Sequence, residues 1–381
     1  MIVWQVILAM LTAGSAAYSA LAVIAAIRYR AARPTRTKNI TPISVLKPLS
    51  GVDDGLEENL RTFFRQDYAN FEILFAVRSP KDPAIKIVER LRSEFPDVPS
   101  SLVVTGEPPY ANAKVYSLDT MLAAARHDLI VMADSDTRVT PDMLSVFAAE
   151  FAEPKVGLAT CPYRAVPGFS IWSTMEALGL NTEFIGGVLV ARMLDGMKFA
   201  LGPTIAARRE TLEAIGGLDA VKDYLAEDFV LGKLAARRGF GVILSSFVIE
   251  HRIGAQRLTA NMRHRLRWAR STRRSRPVGY IGQLFTHPLA LAAMTWILAP
   301  HWRAAALAAL ILRAAAAWAT GVYVLRDPLM WRFGWLLPFQ DIASFLVWAG
   351  GFFGNTIQWR GRKYYLRRDG RFELRDSPAE G

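Results

Sequence analysis

Asp128-Leu-Ile-Val-Met-Ala-Asp134-Ser-Asp136 is the stretch on which the reading of this chain turns. Its apolar run has the pattern of a strand buried on both faces, and it ends directly in two carboxylates spaced i, i+2. Working outward, short β-rich runs alternate with helical patterns between about residues 40 and 250. Upstream, Ile43–Leu46 is a buried strand ending at Lys47-Pro48. Gly55–Arg65 is a helix with Leu56, Leu60 and Phe64 on one face, Phe71–Val77 a strand, and Pro83–Phe95 a helix. Leu102–Thr105 is a third strand, and Ala113–Ala125 carries Val115, Leu118, Met121 and Leu122 at helical spacing. This alternation predicts an α/β fold with a doubly wound sheet. Ligands of such sheets bind outside the carboxyl ends of the strands. The residues there are Asp82 after the second strand and Asp134/Asp136 after the fourth. Neither GxGxxG nor GxxxxGK[ST] occurs, so nothing supports a dinucleotide fold or a P-loop.

The composition adds a membrane. Of 381 residues, 52% are hydrophobic, and 46 Lys+Arg against 34 Asp+Glu give a net charge of +12. The apolar residues crowd both ends. Ile2–Ile27 has no charge and is long enough to cross a hydrocarbon core of about 30 Å. Arg28, Arg30, Arg33, Arg36 and Lys38 follow it, which by the positive-inside rule places the middle domain in the cytoplasm. Leu284–Pro300, Ala304–Leu325 and Leu336–Ile357 are three further apolar stretches, the first entered through Pro288 and a candidate re-entrant or interfacial segment. Three crossings would put the C-terminus outside, whereas Arg360, Arg362, Lys363, Arg367, Arg368 and Arg371 argue that it stays inside. Arg313 and Asp341 fall within apolar runs, as functional charges or as side chains snorkelling near helix ends. The expected organisation is a transmembrane helix at 1–27, a soluble domain at 40–275, membrane segments at 284–357 and a basic tail at 358–381. The single Cys161 rules out an internal disulfide and a Cys-cluster zinc site, in keeping with a reducing compartment.

Each candidate site has two readings. Asp134 and Asp136 suit a hard divalent cation, Mg²⁺ or Mn²⁺, shared with a diphosphate. They equally suit a turn that caps the helix at Pro141–Phe151. Asp228, after Glu227 in the first turn of a helix, is either a capping carboxylate or a general base toward an acceptor hydroxyl. Asp82 either receives hydrogen bonds from a base or ribose, or opens the helix at Pro83. The arginine-rich stretch from Arg263 to Arg276, with Trp268 inside it, fits nucleic acid, anionic headgroups or a leaving diphosphate. The apolar segment Phe184–Leu194 with Met197-Lys-Phe199 is core, or an interfacial element where a lipid enters.

Taken in order, Asp82, Asp134-Ser-Asp136, Ala226-Glu-Asp228 and His264-x-x-Arg267-Trp268, set between membrane segments, resemble the ceramide glucosyltransferase family, family 21 of the inverting glycosyltransferases. The series D, D(x)D, ED and (Q/R)xxRW covers about residues 40–270. The resemblance implies a GT-A-type, Rossmann-like nucleotide-sugar domain at the membrane face, a UDP-sugar donor, a lipid acceptor in the bilayer and no nucleic acid. By motif position, Asp82 would contact uridine, Asp134 and Asp136 the ribose–diphosphate and metal, and Asp228 would be the base. Arg267 and Trp268 would shape the diphosphate and acceptor side, and Asn112 and Lys114 would lie near the donor. His264 stands where the family has Gln or Arg, so its charge depends on pH. His251 is a candidate additional metal ligand. The leading expectation is transfer of glucose from UDP-glucose to a ceramide-like lipid, in the inner membrane of a bacterium. The hopanoid-associated branch, using UDP-N-acetylglucosamine, is the neighbouring one. A processive synthase would want more membrane helices, and a non-catalytic sugar-nucleotide sensor would be expected to have lost a carboxylate.

Overall fold

The computed structural model describes residues 2–32, 41–359 and 362–374. Arg33, Arg36, Lys38 and Arg360 of the basic clusters lie outside the described residues.

A seven-stranded sheet has the order β3-β2-β1-β4-β8-β6-β9. Its strands are β1 (Ile43–Pro48), β2 (Phe71–Val77), β3 (Ser100–Val104), β4 (Leu129–Ala133), β6 (Val156–Thr160), β8 (Thr204–Arg208) and β9 (Gly241–Leu244). Strands β3, β2, β1 and β4 run parallel, with Val45 opposite Val131, and β8 runs antiparallel to both β4 and β6. The crossover helices are α2 (Leu56–Phe64), α3 (Ala84–Glu94), α4 (Ala113–Ala124), α5 (Met143–Glu150), α8 (Arg209–Ala214) and α9 (Glu227–Arg237). The expected strands and helices of the first half are found within about two residues of their predicted ends. Successive β4 residues face opposite layers, as period-two geometry demands. Leu129, Val131 and Ala133 pack with α2, α3 and α5, whereas Ile130 and Met132 pack with α4, α8 and α9.

A second, three-stranded sheet orders β5 (Thr137–Arg138), β10 (Ile249–Arg252) and β7 (Tyr163–Val166) as β5-β10-β7. It lies directly beyond the Asp134-Ser-Asp136 turn and pairs His251 with Thr137.

The helical part is built from α1 (Ile2–Ala31), α6 (Ile171–Gly179), α7 (Ile185–Asp195), α10 (Leu258–Ser275), α11 (Pro277–Gly282), α12 (Pro288–Leu298), α13 (Arg303–Ala317), α14 (Leu329–Phe333) and α15 (Leu337–Gly351). Three helices among the described residues are long and apolar enough to span a membrane: Val3–Ala31, Ile171–Asp195 and Pro300–Val324. The helix α1 runs on past the expected boundary at residue 27. Its last turns enter the sheet core through Ala22, Ala25, Ala26 and Tyr29, whose hydroxyl donates to the Ser245 carbonyl at 2.6 Å. Pro288 does interrupt the first C-terminal stretch, where Pro277–Thr286 and Pro288–Leu298 meet at a 59° bend.

The third C-terminal stretch departs from expectation. It is a helix of 15 residues, roughly 22 Å long and short of a hydrocarbon core, after which the chain turns away at Gly354. Gly351 sits where a Cβ would collide with the Tyr280 hydroxyl, and Gly354 has φ +77°. The chain then forms a three-stranded antiparallel sheet, β11 (Thr356–Trp359), β12 (Arg362–Leu366) and β13 (Phe372–Leu374), where a basic tail was expected. This sheet docks on the α/β half: Phe372 donates its N–H to the Asp223 carbonyl at 3.0 Å, and Arg371 bridges to Tyr224. The sheet at 356–374 therefore lies on the same side as the α/β domain, and any crossing made between residues 277 and 356 is matched by a return.

Arg313 and Asp341 do not snorkel. Both are buried, and they form a bidentate pair at 2.7 and 2.8 Å, with Thr182 accepting a further bond from Arg313 at 3.1 Å. The pair ties α13 and α15 to the segment between α6 and α7. A buried charge that loses its partner costs about 3–5 kcal/mol. Asp341→Asn should thus lower the thermal midpoint in detergent sharply, and Arg313→Met combined with Asp341→Leu should recover most of the loss.

Candidate active site

Lys114 lies in the first turn of α4. Its Nζ lies 2.8 Å from Asp134 Oδ1 and 3.0 Å from Glu227 Oε1. One lysine thus joins the Asp134 turn to the start of α9. Lys114, Asp134, Glu227 and Asp228 line one small cavity with Gly202, floored by Leu118, Met132, Ile205 and Leu231. The electrostatics follow from this crowding. Burial works against the Lys114 charge, but Asp134 and Glu227 outweigh it and hold the ammonium above its ordinary range. Burial lifts Asp134, against the pull of Lys114. Asp228 is pushed up to about 7, first by burial and then by Glu227 beside it, which puts this carboxyl near neutrality where a general base works best.

Asp136 points the other way, toward the small sheet. His251 Nε2 stands 3.2 Å from its Oδ2, because β10 pairs with β5 and sets His251 against Thr137. Burial would raise Asp136, yet His251, Lys47 and Lys114 bring it below the usual carboxylate range. Burial disfavours the charged imidazole of His251, and Asp136 more than compensates, raising it. Asp136 Oδ1 is buried and has no hydrogen-bond partner. No group of three or more His, Cys, Asp or Glu side chains among the described residues is arranged to hold a metal ion. An orphaned carboxylate oxygen beside a second aspartate nevertheless fits a Mg²⁺ or Mn²⁺ that takes its other oxygens from a diphosphate and water. The turn reading also has its counterpart: Thr137 donates its N–H and its hydroxyl to the Asp134 carbonyl, at 3.3 and 2.7 Å.

Lys47 was read only as the end of the first strand, and it proves to be the floor of this turn. It is fully buried, donates to the Asp134 carbonyl and, at 3.1 Å, to Thr137 Oγ1, and lies 3.8 Å from the centre of the Phe63 ring. Burial lowers it to about 7 against the pull of Asp134 and Asp136. Gly202 was likewise missed. It lets the loop before β8 approach so closely that a Cβ there would stand 3.0 Å from Asp228 Oδ2, while the next residue, Pro203, accepts the Asp134 N–H at 3.0 Å.

The remaining expected residues are not in this cavity. Asp82 caps α3, accepting from Ala84 N–H at 2.9 Å, and also accepts from Gly51 N–H at 3.0 Å, fastening the loops after β1 and β2 to each other. Asn112 caps α4 through Val115 N–H at 3.3 Å and donates to the Tyr224 carbonyl at 3.0 Å, which holds the loop leading to Asp228. His264, Arg267 and Trp268 ride on α10. An aromatic series connects them to His251 beside Asp136: the ring centres of His264 and Trp268 are 5.3 Å apart, Trp268 and Phe184 6.1 Å, Phe184 and Tyr163 5.7 Å, and Tyr163 and His251 5.3 Å. His264 Nδ1 is 2.8 Å from Glu176 on α6, a lone carboxylate in an apolar run that carried no motif. Arg267 is itself partnered.

Much of the arginine-rich stretch is spent inside the protein. Arg270 donates to the Phe353 and Thr356 carbonyls at 3.0 and 2.8 Å, Arg273 to Phe352, Gly354 and Asn355, and Arg274 to Asn355. These bonds clamp α10 to the turn after α15. Phe184 and the segment Ile185–Val190 pack largely in the core beside α1. Because a methyl at Gly202 would displace the Asp228 carboxylate, Gly202→Ala should cut turnover about 10- to 100-fold. Thermal unfolding should show a change below about 1 kcal/mol.

The glycosyl transferase family 21 model matches residues 7–372. Among curated proteins, ceramide glucosyltransferase 1 of Caenorhabditis elegans is 30% identical over 207 residues, 54% of this chain and 44% of that protein. Ceramide glucosyltransferase 3 of the same organism is 28% identical over 223 residues, 58% of this chain and 48% of its own length. The matched regions span about half the length of these relatives. Among solved structures, the mannosyltransferase PcManGT of Pyrobaculum calidifontis, in complex with GDP-Man and Mn²⁺, superposes with a TM-score of 0.54 at 21% identity, covering 90% of this chain and 97% of that one. The sheet order and this likeness identify a GT-A-type domain, and with the match running through nearly all of its length, the chain belongs to glycosyl transferase family 21.

Proposed function

We propose that the chain is a membrane-bound inverting glycosyltransferase that moves glucose from UDP-glucose to the hydroxyl of a ceramide-like lipid on the cytoplasmic face of a bacterial inner membrane. The observation that carries the reading is the meeting of Asp134, Lys114, Glu227 and Asp228 on one cavity, with Asp136 alongside, in a family 21 chain. Asp228 takes the proton of the acceptor hydroxyl as it attacks the anomeric carbon. Lys114 keeps Asp134 and Glu227 from repelling the donor diphosphate and each other. Asp136, oriented by His251, and Asp134 would hold the Mg²⁺ or Mn²⁺, which when bound neutralises charge developing on the departing UDP. Arg267 and Trp268 bound the acceptor side. The ceramide reading draws on the names of the relatives above, and Mn²⁺ with a sugar nucleotide accompanies the solved mannosyltransferase.

The test is UDP release by detergent-purified protein, crossing UDP-glucose, UDP-galactose and UDP-N-acetylglucosamine against ceramide, a hopanoid alcohol and no acceptor. Release confined to UDP-glucose with ceramide is the expected result. Release confined to UDP-N-acetylglucosamine with the hopanoid would transfer the protein to the neighbouring branch, and no release at all would defeat the enzyme reading. Asp228→Asn should lower kcat by about 10²- to 10⁴-fold with UDP binding retained, and Asp136→Asn should remove the response to Mn²⁺. A base must be ionised to act. Since the Asp228 carboxyl is raised to about 7, kcat/KM should rise with pH through that value and level off above it, with a bound cation moving the midpoint lower. Asp228→Asn should erase this limb of the profile.

A further inference from the structure

A groove of about 310 Å³ lies between α6, α10 and α15, away from the donor cavity. Its walls are mainly Trp172 and Met175 from α6, Met262 and Leu266 from α10, and Leu346 and Val347 from α15, with Arg265 also on the lining, where its guanidinium donates to Ser344 Oγ at 2.9 Å. Its size is at the lower end of the range for small-molecule pockets.

Two features of this groove argue for an amphiphile. At its inner end Asn261 is buried and donates to Glu176 Oε2 at 2.5 Å, and the other oxygen of the same carboxylate meets His264 Nδ1 at 2.8 Å. The apolar trench thus ends in a polar cluster, one residue of which belongs to the His264-x-x-Arg267-Trp268 motif. At its outer end Leu346 is 63% exposed, and the adjoining surface of α14, α15 and the turn between them bares Trp331, Trp335, Phe339 and Ile342. Tryptophans beside an apolar surface are the residues enriched at a membrane interface, so a lipid entering from a bilayer would meet the mouth at this level.

We propose that this groove holds one hydrocarbon chain of the lipid acceptor and turns its hydroxyl-bearing head toward Asn261, Glu176 and His264. The proposal rests on the lipid-acceptor reading above and adds a binding site to it. A lipid already in a bilayer gains little hydrophobic free energy by entering such a groove, so its work is alignment: the seated chain fixes where the head stands relative to Asp228.

The test compares wild type with Met262→Trp and Leu346→Trp, which fill the groove, and with Ile297→Trp, an exposed position on α12 outside it. Transfer from UDP-glucose to N-palmitoyl ceramide is measured in mixed micelles, with UDP binding as the check on folding. The groove variants should lose about a hundredfold in kcat/KM while binding UDP as wild type does, and Ile297→Trp should be unaffected. Because a tryptophan can unfold a helix bundle, the second measurement uses wild type alone. A ceramide carrying a photoactivatable diazirine in its acyl chain should label Met175, Met262 or Leu346. Groove variants with wild-type kcat/KM, or adducts only elsewhere, overturn the groove and leave the transferase reading standing. Wild type that binds UDP but transfers to no ceramide overturns the reading and the groove with it.

Discussion

Lys114 is the interaction on which the site depends. Asp134, Glu227 and Asp228 meet around one cavity and Asp136 lies two residues from Asp134, so four partly buried carboxylates crowd one region. Left alone they would repel one another. The ammonium of Lys114, 2.8 Å from Asp134 and 3.0 Å from Glu227, offsets that repulsion and fastens the end of β4 to the start of α9. Lys47 secures the same turn from below through its carbonyl. The two lysines differ in surroundings: one faces carboxylate oxygens and stays charged, the other faces a carbonyl, a hydroxyl and a ring and falls to about 7.

The rest of the molecule reads as a frame for that pair of elements. The loop before β8 brings Gly202 and Pro203 against Asp228 and Asp134. Asn112 and the C-terminal sheet hold the loop at Asp223–Tyr224 that leads into α9. The arginines of α10 bind the turn after α15, which connects the C-terminal helices to the same sheet. The membrane-associated part and the α/β part are therefore fastened at several points. Among them are Tyr29 to Ser245 and Asn181 to the backbone of Ala165 at 2.7 and 3.0 Å. The proposed transfer from a soluble donor to a bilayer lipid would gain from such fixed geometry.

What was legible in the chain was whatever depends on local pattern. The fully apolar run Leu129–Ala133 could only be a strand buried on both faces, and the carboxylates after it fell at the carboxyl end of a parallel sheet, where charge is useful. The same reasoning placed Asp228 in the first turn of its helix. It failed where identity is local but environment is not. Lys47 looks like any strand-ending lysine, Gly202 like any loop glycine, and Glu176 like an odd carboxylate in an apolar helix.

Composition and order thus determined the α/β domain, the membrane association and the acidic positions, because hydrophobic periodicity and charge in an apolar run leave few alternatives. Only the tertiary structure decided which charges meet. It paired Arg313 with Asp341 across two helices, docked a sheet within residues 356–374 on the α/β domain, and closed Lys114 onto residues 20 and 113 positions away in the chain. Pairing of this kind is set by how helices and strands pack, and nothing in the spacing of a sequence encodes a distance between elements that have yet to fold together.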